Sequence, residues 1–160
     1  MNKHPIPVVA CGIIDDEDNI LLMKRSKEPY KDFWCLPGGK IEFAETIEDA
    51  CKRELKEETG LGIRFKALKG VISEVLAADG KQSHFILFCC EAEPLIKKVV
   101  ASEEGEVEWF ALQVLDAMKE AIIPSDYYMI KELILKDETI KATNILMLKT
   151  GNKYKIESMD

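Results

Sequence analysis

Two hydrophobic rhythms run along this chain. Residues 7–14 are apolar and rich in β-branched side chains, which predicts a strand. The polar run Asp15-Asp16-Glu17-Asp18-Asn19 predicts a hairpin turn, and residues 20–24 the returning strand. Residues 27–32 form a polar loop containing Pro29. The apolar Phe33-Trp34-Cys35-Leu36 is then stopped by Pro37-Gly38-Gly39, which reads as a break. From residue 46 the period lengthens to that of a helix. Thr46 is a good N-cap, Asp49 stands three residues on as in a capping box, and Gly60 stands where a helix ends. Residues 63–76 and 84–92 predict two long strands around a turn at Asp79-Gly80, and residues 107–110 a short one. Residues 111–119 and 125–136 predict helices, the second capped by Ser125. Residues 144–148 and 154–156 predict a closing hairpin. The order is strands, helix, strands, helices, with no repeat or linker. It predicts one α/β domain over residues 1–160, a mixed central sheet with helices packed on it.

The helix at 46–59 carries the chemistry. At about 100° per residue, Glu54, Glu57 and Glu58 fall at i, i+3 and i+4 and share one face. Ile47, Cys51 and Leu55 occupy the adjoining apolar arc, and Glu48, Asp49, Lys52 and Lys56 lie opposite. The three glutamates therefore sit beside the core-facing edge. Like charges so placed repel, and partial desolvation raises the repulsion. A solvated acidic helix is the ordinary reading of such a pattern. A hard divalent cation with oxygen ligands is the alternative, and Mg2+ suits sites shared with phosphates.

The flanking residues favour the cation. Gly38-Gly39 permits close approach of backbone to a ligand. Arg53 can hold a carboxylate bidentately. Gly39, five residues, Glu45, seven residues, Arg53-Glu54-Leu55, one residue, Glu57-Glu58, one residue, Gly60-Leu61: this string resembles the signature of the Nudix hydrolases at all nine of its constrained positions. The strand order on either side is also similar to that family's α/β/α sandwich.

The resemblance implies hydrolysis of a diphosphate linkage in a nucleoside-diphosphate derivative, with Mg2+ or Mn2+ bridging phosphate oxygens. It implies that Glu57 and Glu58 are metal ligands and Glu54 a ligand or general base. Arg53 would orient a glutamate, Gly39 would support the loop and offer a backbone ligand, and Glu45 would be structural. Family members often recruit one more carboxylate from a later loop. Residues 102–110 resemble that segment, with Glu103 the first candidate and Glu106 the second. Arg25 (or its neighbour Lys24) and Lys40 stand near the expected site and could meet phosphate oxygens. Trp34 could stack on a base, although an aromatic residue there is more often core. Trp109 reads as core and His84 receives no role.

Composition narrows the partners. A net charge of -7 disfavours an extended nucleic-acid footprint, which calls for a basic surface. The five cysteines (Cys11, Cys35, Cys51, Cys89 and Cys90) lack zinc or redox spacing and read as buried reduced thiols. The N-terminus does not resemble a signal peptide and no stretch is long enough to span a membrane, so a cytoplasmic protein is expected. Homodimers are common in the family, and the apolar C-terminal strand or helix is where an interface could lie. On substrate, the ADP-ribose class tends to carry a proline downstream of the signature, where this chain has Val75-Leu76-Ala77-Ala78. The tyrosine of the dinucleoside polyphosphate class is also absent there, and the coenzyme A class matches weakly. A nucleoside triphosphate is left by elimination, with ADP-ribose or a nucleotide sugar as the alternative. A nucleotide-sensing module without catalysis is the competing function, and RNA-end processing is disfavoured by charge.

Overall fold

The computed structural model describes residues 4–160. Its strands are β1 (Ile6–Ile13), β2 (Asn19–Arg25), β3 (Trp34–Cys35), β4 (Gly38–Lys40), β5 (Ile63–Ala78), β6 (Lys81–Pro94), β7 (Gly105–Ala111), β8 (Ile145–Thr150) and β9 (Lys153–Met159). Two α-helices, α1 (Ile47–Thr59) and α2 (Pro124–Met129), complete the regular elements. Strand β1 pairs in parallel with β6 and antiparallel with β4, and β5 closes the sheet in the order β4-β1-β6-β5. A second, antiparallel sheet runs β3-β2-β7. The architecture is the expected α/β one with a mixed sheet.

Alternation along β1 sets the layers. Val9, Cys11 and Ile13 point to one side and are buried with Ala50, Cys51 and Leu55 of α1. Ala10 points to the other side, into a core with Met129, Ile130 and Ile134. Gly12 lies on that second side, where a Cβ would come within 2.5 Å of Ile134 Cδ1. Each large aliphatic side chain so buried contributes about 1.5–3 kcal/mol. All five cysteines are buried and free. Among the described residues no helix is long and apolar enough to cross a membrane.

Helix α1 starts and stops where its sequence dictates. Thr46 accepts a hydrogen bond from the Asp49 N–H at 3.1 Å. Gly60 adopts φ 74, the left-handed cap that glycine takes without steric cost. Three expectations are corrected. Residues 20–24 do not return as the hairpin partner of β1: both edges of β1 are taken by β4 and β6, Ile14 and Ile20 meet only in an isolated bridge, and β2 pairs with β3 and β7 in the second sheet. The break at Pro37-Gly38-Gly39 does end β3, and Gly38 and Gly39 go on to open β4 against β1. Residues 111–119 form no α-helix but two short 3-10 turns, Leu112–Val114 and Lys119–Ala121. Ala111 and Met118, the cap positions of these turns, supply no side-chain cap bond. The helix expected at 125–136 begins earlier, with Pro124 in its first turn, and widens into a π-helical turn, Ile130–Ile134. Ser125 therefore lies inside the helix and caps nothing. Pro124 has no N–H to lose in a first turn.

Candidate active site

The close approach of α1 to β4 builds the site. Gly38 lies so near β1 that a Cβ would stand 1.9 Å from the Val9 carbonyl oxygen. At Gly39 a Cβ would meet the Glu54 carboxylate, 2.4 Å from its carbon. The absent side chains let the first turns of the signature lie flat on the helix. A two-glycine contrast follows. Gly38→Ala, blocked by backbone, should lower the unfolding free energy by about 1–3 kcal/mol or more in urea denaturation. Gly39→Ala meets only the end of a flexible side chain and should leave stability within about 1 kcal/mol of the parent. It should still cut turnover by at least about tenfold, because it displaces Glu54.

Arg53 is the hub of the cluster. Its Nε and Nη2 donate to the two carboxylate oxygens of Glu45 at 2.7 and 2.9 Å. Its Nη1 donates to Glu54 Oε1 at 2.9 Å and reaches Glu57 Oε2 at 3.3 Å. Nη2 also donates to the Lys40 carbonyl at 2.9 Å, tying the helix to the end of β4. Glu45 is held below the ordinary carboxylate range by its bonds to Arg53. In turn it accepts from the Glu42 N–H at 2.9 Å, fixing the loop before the helix.

The three helix carboxylates differ in environment. Glu57 is largely exposed, with 60% of its side chain open to solvent, whereas Glu54 retains 12%. Glu58 is buried and accepts from the Gly38 N–H at 3.2 Å. Desolvation pushes the Glu58 carboxyl up to about 8; the Gly38 bond opposes this, and Glu54 and Glu104 add repulsion. Desolvation also raises Glu54, against the pull of Arg53. Among the described residues no three acidic, histidine or cysteine side chains already converge into a formed metal site. Arg53 holds Glu54 and Glu57, and Gly38 holds one oxygen of Glu58. The chemistry of the set nevertheless fits a hard divalent cation: oxygen donors only, mutually repelling and partly desolvated.

Beside β4 opens a cavity of about 470 Å³. Gly38, Gly39, Lys40 and Arg25 line it, together with Tyr30, Glu74, Phe85 and Asp126. Arg25 is fixed by donating from Nε to the Pro29 carbonyl at 2.6 Å. It also borders the smaller cleft that holds Lys24, Glu103 and Glu106. Asp126 is buried and accepts from the Leu36 N–H at 2.7 Å. Desolvation raises its carboxyl to about 7, with Glu74 adding repulsion.

Arg53 links Glu54, Glu57 and the Lys40 carbonyl, Gly38 holds Glu58, and Gly39, Lys40 and Arg25 line the same cavity. Trp34 is corrected: it does not line the cavity. It packs edge-on against Phe110, centroids 4.8 Å apart, within the α2-side core. In the acidic loop the charge of Glu104, next to the candidate Glu103, adds to the repulsion at Glu58. Glu103 is exposed, and its carbonyl and that of Glu104 accept from Ser26 Oγ at 2.8 and 3.0 Å. Asp126, Glu74 and Tyr30 were missed. Asp126 follows a proline in an otherwise helical run, and only tertiary packing reveals that it faces inward.

A family model described as the NUDIX domain matches residues 3–133. An ADP-ribose pyrophosphatase of Methanocaldococcus jannaschii is 50% identical over 70 residues, covering 44% of this chain and 41% of that protein. The chain thus spans well under two thirds of that relative. An uncharacterised Nudix hydrolase of Bacillus subtilis is 31% identical over 125 residues, 77% of this chain and 75% of the relative. The crystal structure of a MutT protein from Bacillus halodurans superposes with a TM-score of 0.70 at 27% identity, covering 97% of this chain and 96% of that one.

Proposed function

This chain belongs to the Nudix hydrolase family, and from that premise we propose that it hydrolyses a nucleoside triphosphate at a diphosphate linkage, with Mg2+ as the working ion and Mn2+ as a substitute. Residues 1–160 act as one domain in this reading. The observation that carries it is that the glycine loop which approaches α1 also lines the 470 Å³ cavity: Gly38, Gly39, Arg25 and Lys40 border it, and so does a buried carboxyl, Asp126. A cavity of this size suits one nucleoside. A carboxyl near 7 can donate or accept a hydrogen bond at neutral pH, so it can read a base edge that offers both.

Glu57 and Glu58 would hold the divalent ions, with Glu103 or Glu104 added from the loop, and Glu54 would act as the general base. A bound divalent cation supplies Lewis acidity toward phosphate oxygens. The protein contributes position and charge. Arg53 occupies Glu54 Oε1, which leaves Oε2 free to take the proton of the attacking water. Arg25 and Lys40 place cationic groups where phosphate oxygens would lie. Holding the phosphates and the water in line accounts for most of the rate enhancement in such reactions.

ADP-ribose is the second reading, favoured by the archaeal relative named for that activity. The chemistry is shared, and the substrates differ in what lies beyond the second phosphate. A panel of nucleoside triphosphates, their oxidised forms, ADP-ribose and nucleotide sugars separates the two by kcat/KM. The best nucleoside triphosphate should exceed ADP-ribose by at least about tenfold, corresponding to a little over 1 kcal/mol in transition-state binding. A reversed order would replace the substrate assignment and keep the reaction class.

Asp126 yields a pH prediction independent of turnover. Its folded pKa, about 7, lies above its ordinary value of 3.8. The folded state therefore binds more protons than the unfolded state between those limits. Stability should fall as pH rises from about 4 to about 7, by on the order of 4 kcal/mol from this group. Asp126→Asn keeps an acceptor for the Leu36 N–H and should flatten that slope in urea titrations. A slope unchanged in the variant would show that Asp126 ionises without penalty.

A further inference from the structure

A second and larger cavity, of about 920 Å³, shares no lining residue with the first. The first is bordered by the starts of β1 and β6, at Ile6 and Phe85, and the second by their far ends, at Ile14 and Glu93. Part of the second is apolar, through Pro94, Leu95, Leu112, Ile134 and Leu135. Lys69 of β5 lines the same space with only 3% of its side chain exposed. A lysine is almost never so buried unless it is paired. Its Nζ donates to the Lys136 carbonyl at 2.5 Å, its one hydrogen bond among the described residues. Glu91 Oε2 stands 3.6 Å away, beyond hydrogen-bond reach. An ammonium carries three donors, so part of its capacity is unspent.

The carboxylates around this cavity are mostly engaged elsewhere. Asp15 accepts from the Glu17 and Asn19 N–H groups, both at 2.9 Å. Asp16 pairs with Lys97 at 2.7 Å. Glu91 accepts from Lys66 at 3.2 Å, and Glu93 from Arg64. Asp18 and Asp137 are exposed, where water and salt screen them. Lys66 and Lys69 therefore set two cations against the single charge of Glu91, and the more buried of the two is the one with donors to spare.

We propose that this cavity is a second binding site, which takes a small organic oxyanion: a carboxylate or phosphate head on Lys69, and an apolar body against Leu112, Ile134 and Leu135. Charge-assisted bonds are about twice as strong as neutral ones, and an oxyanion fills the donors that the fold leaves open. The volume lies at the upper end of the range for small-molecule sites, which suits a head group carried on a body of several rings or chain atoms. None of the lining residues belongs to α1 or β4, so the site is separate from the hydrolytic one.

Amide-resolved NMR titration of the labelled full chain tests this, with phenyl phosphate, benzoate and the neutral benzyl alcohol as probes. Phenyl phosphate or benzoate should produce saturable shifts at Lys66, Lys69, Glu91 and residues 134–137, binding at least about tenfold tighter than benzyl alcohol. The tighter of the two names the head group. Lys69→Met removes the ammonium and keeps most of the stem; it should weaken the better probe by about 10- to 100-fold. Ala67→Glu leaves Lys69 in place and adds a carboxylate to the same lining, and it should weaken that probe similarly, so the test survives a Lys69→Met chain that fails to fold. Both variants should keep the parent's rate of nucleotide hydrolysis. The proposal is overturned by three results: no saturable shift with either charged probe, shifts confined to Arg25 and residues 38–40, or parental affinity in Ala67→Glu. Benzyl alcohol binding as tightly as the charged probes would overturn it too, by showing an apolar cavity with no use for Lys69.

Discussion

Glu57→Gln is expected to lower turnover by about 10²- to 10³-fold, the loss of roughly 3–4 kcal/mol of transition-state stabilisation. The same change should leave the unfolding free energy within about 0.5 kcal/mol of the parent. Glu57 is the carboxylate most open to solvent, and its one partner, Arg53 at 3.3 Å, has better partners in Glu45 and Glu54. An exposed pair of this kind contributes little to stability. The amide retains the shape and removes the charge, so a fall in activity without a fall in stability isolates the metal-holding role. Glu58→Gln would be less informative. Its carboxyl is buried, pushed up to about 8 by desolvation, and bonded to the Gly38 N–H, so the variant would alter packing as well as charge.

The second large effect is expected at Arg53. Arg53→Ala removes the bidentate grip on Glu45, the bond to Glu54 and the tie to the Lys40 carbonyl together. Glu54 and Glu57 would then repel without a shared counter-charge. Metal affinity should fall by about 10- to 100-fold, as for other groups that orient ligands. Stability should fall too, by about 1–3 kcal/mol, because the half-buried Glu45 is left without its partner. Arg53→Lys should not rescue, since one ammonium cannot span Glu45, Glu54 and the Lys40 carbonyl at once. The check is a Mn2+ titration of each variant followed by paramagnetic relaxation, alongside urea denaturation. A lysine variant with parental affinity would show that charge alone, without the planar fork, suffices.

The helix was legible because its information is local. Thr46, Gly60 and the i, i+3, i+4 spacing of the glutamates act within a few residues, so caps and face follow from sequence. The long β5–β6 hairpin was legible for the same reason, with Asp79-Gly80 turning at φ 52 and 73. Strands β1 and β2 were legible as strands but not as members of different sheets, because their partners β4, β6, β3 and β7 are not adjacent to them along the pattern. Non-local determinants stayed hidden. Gly38-Gly39 looks like a break in isolation and becomes a strand only because β1 lies beside it. Trp34 faces Phe110 because β2 and β7 bring those segments together. The acidic loop is held by Ser26, whose Oγ donates to the carbonyls of Glu103 and Glu104, 77 and 78 residues away in sequence. Asp126 is brought against Leu36 across 90 residues. Local pattern thus placed the candidate carboxylates on one face of α1, and tertiary packing supplied the cavity beside β4.

The most direct test of the central claim is steady-state hydrolysis of nucleoside triphosphates with Mg2+, with products resolved chromatographically, run in parallel on the parent protein and Glu57→Gln. Release of nucleoside monophosphate or diphosphate by the parent, abolished by chelation and lost in the variant, is the predicted result. Turnover that survives both chelation and the substitution would place the chemistry outside this helix and contradict the account.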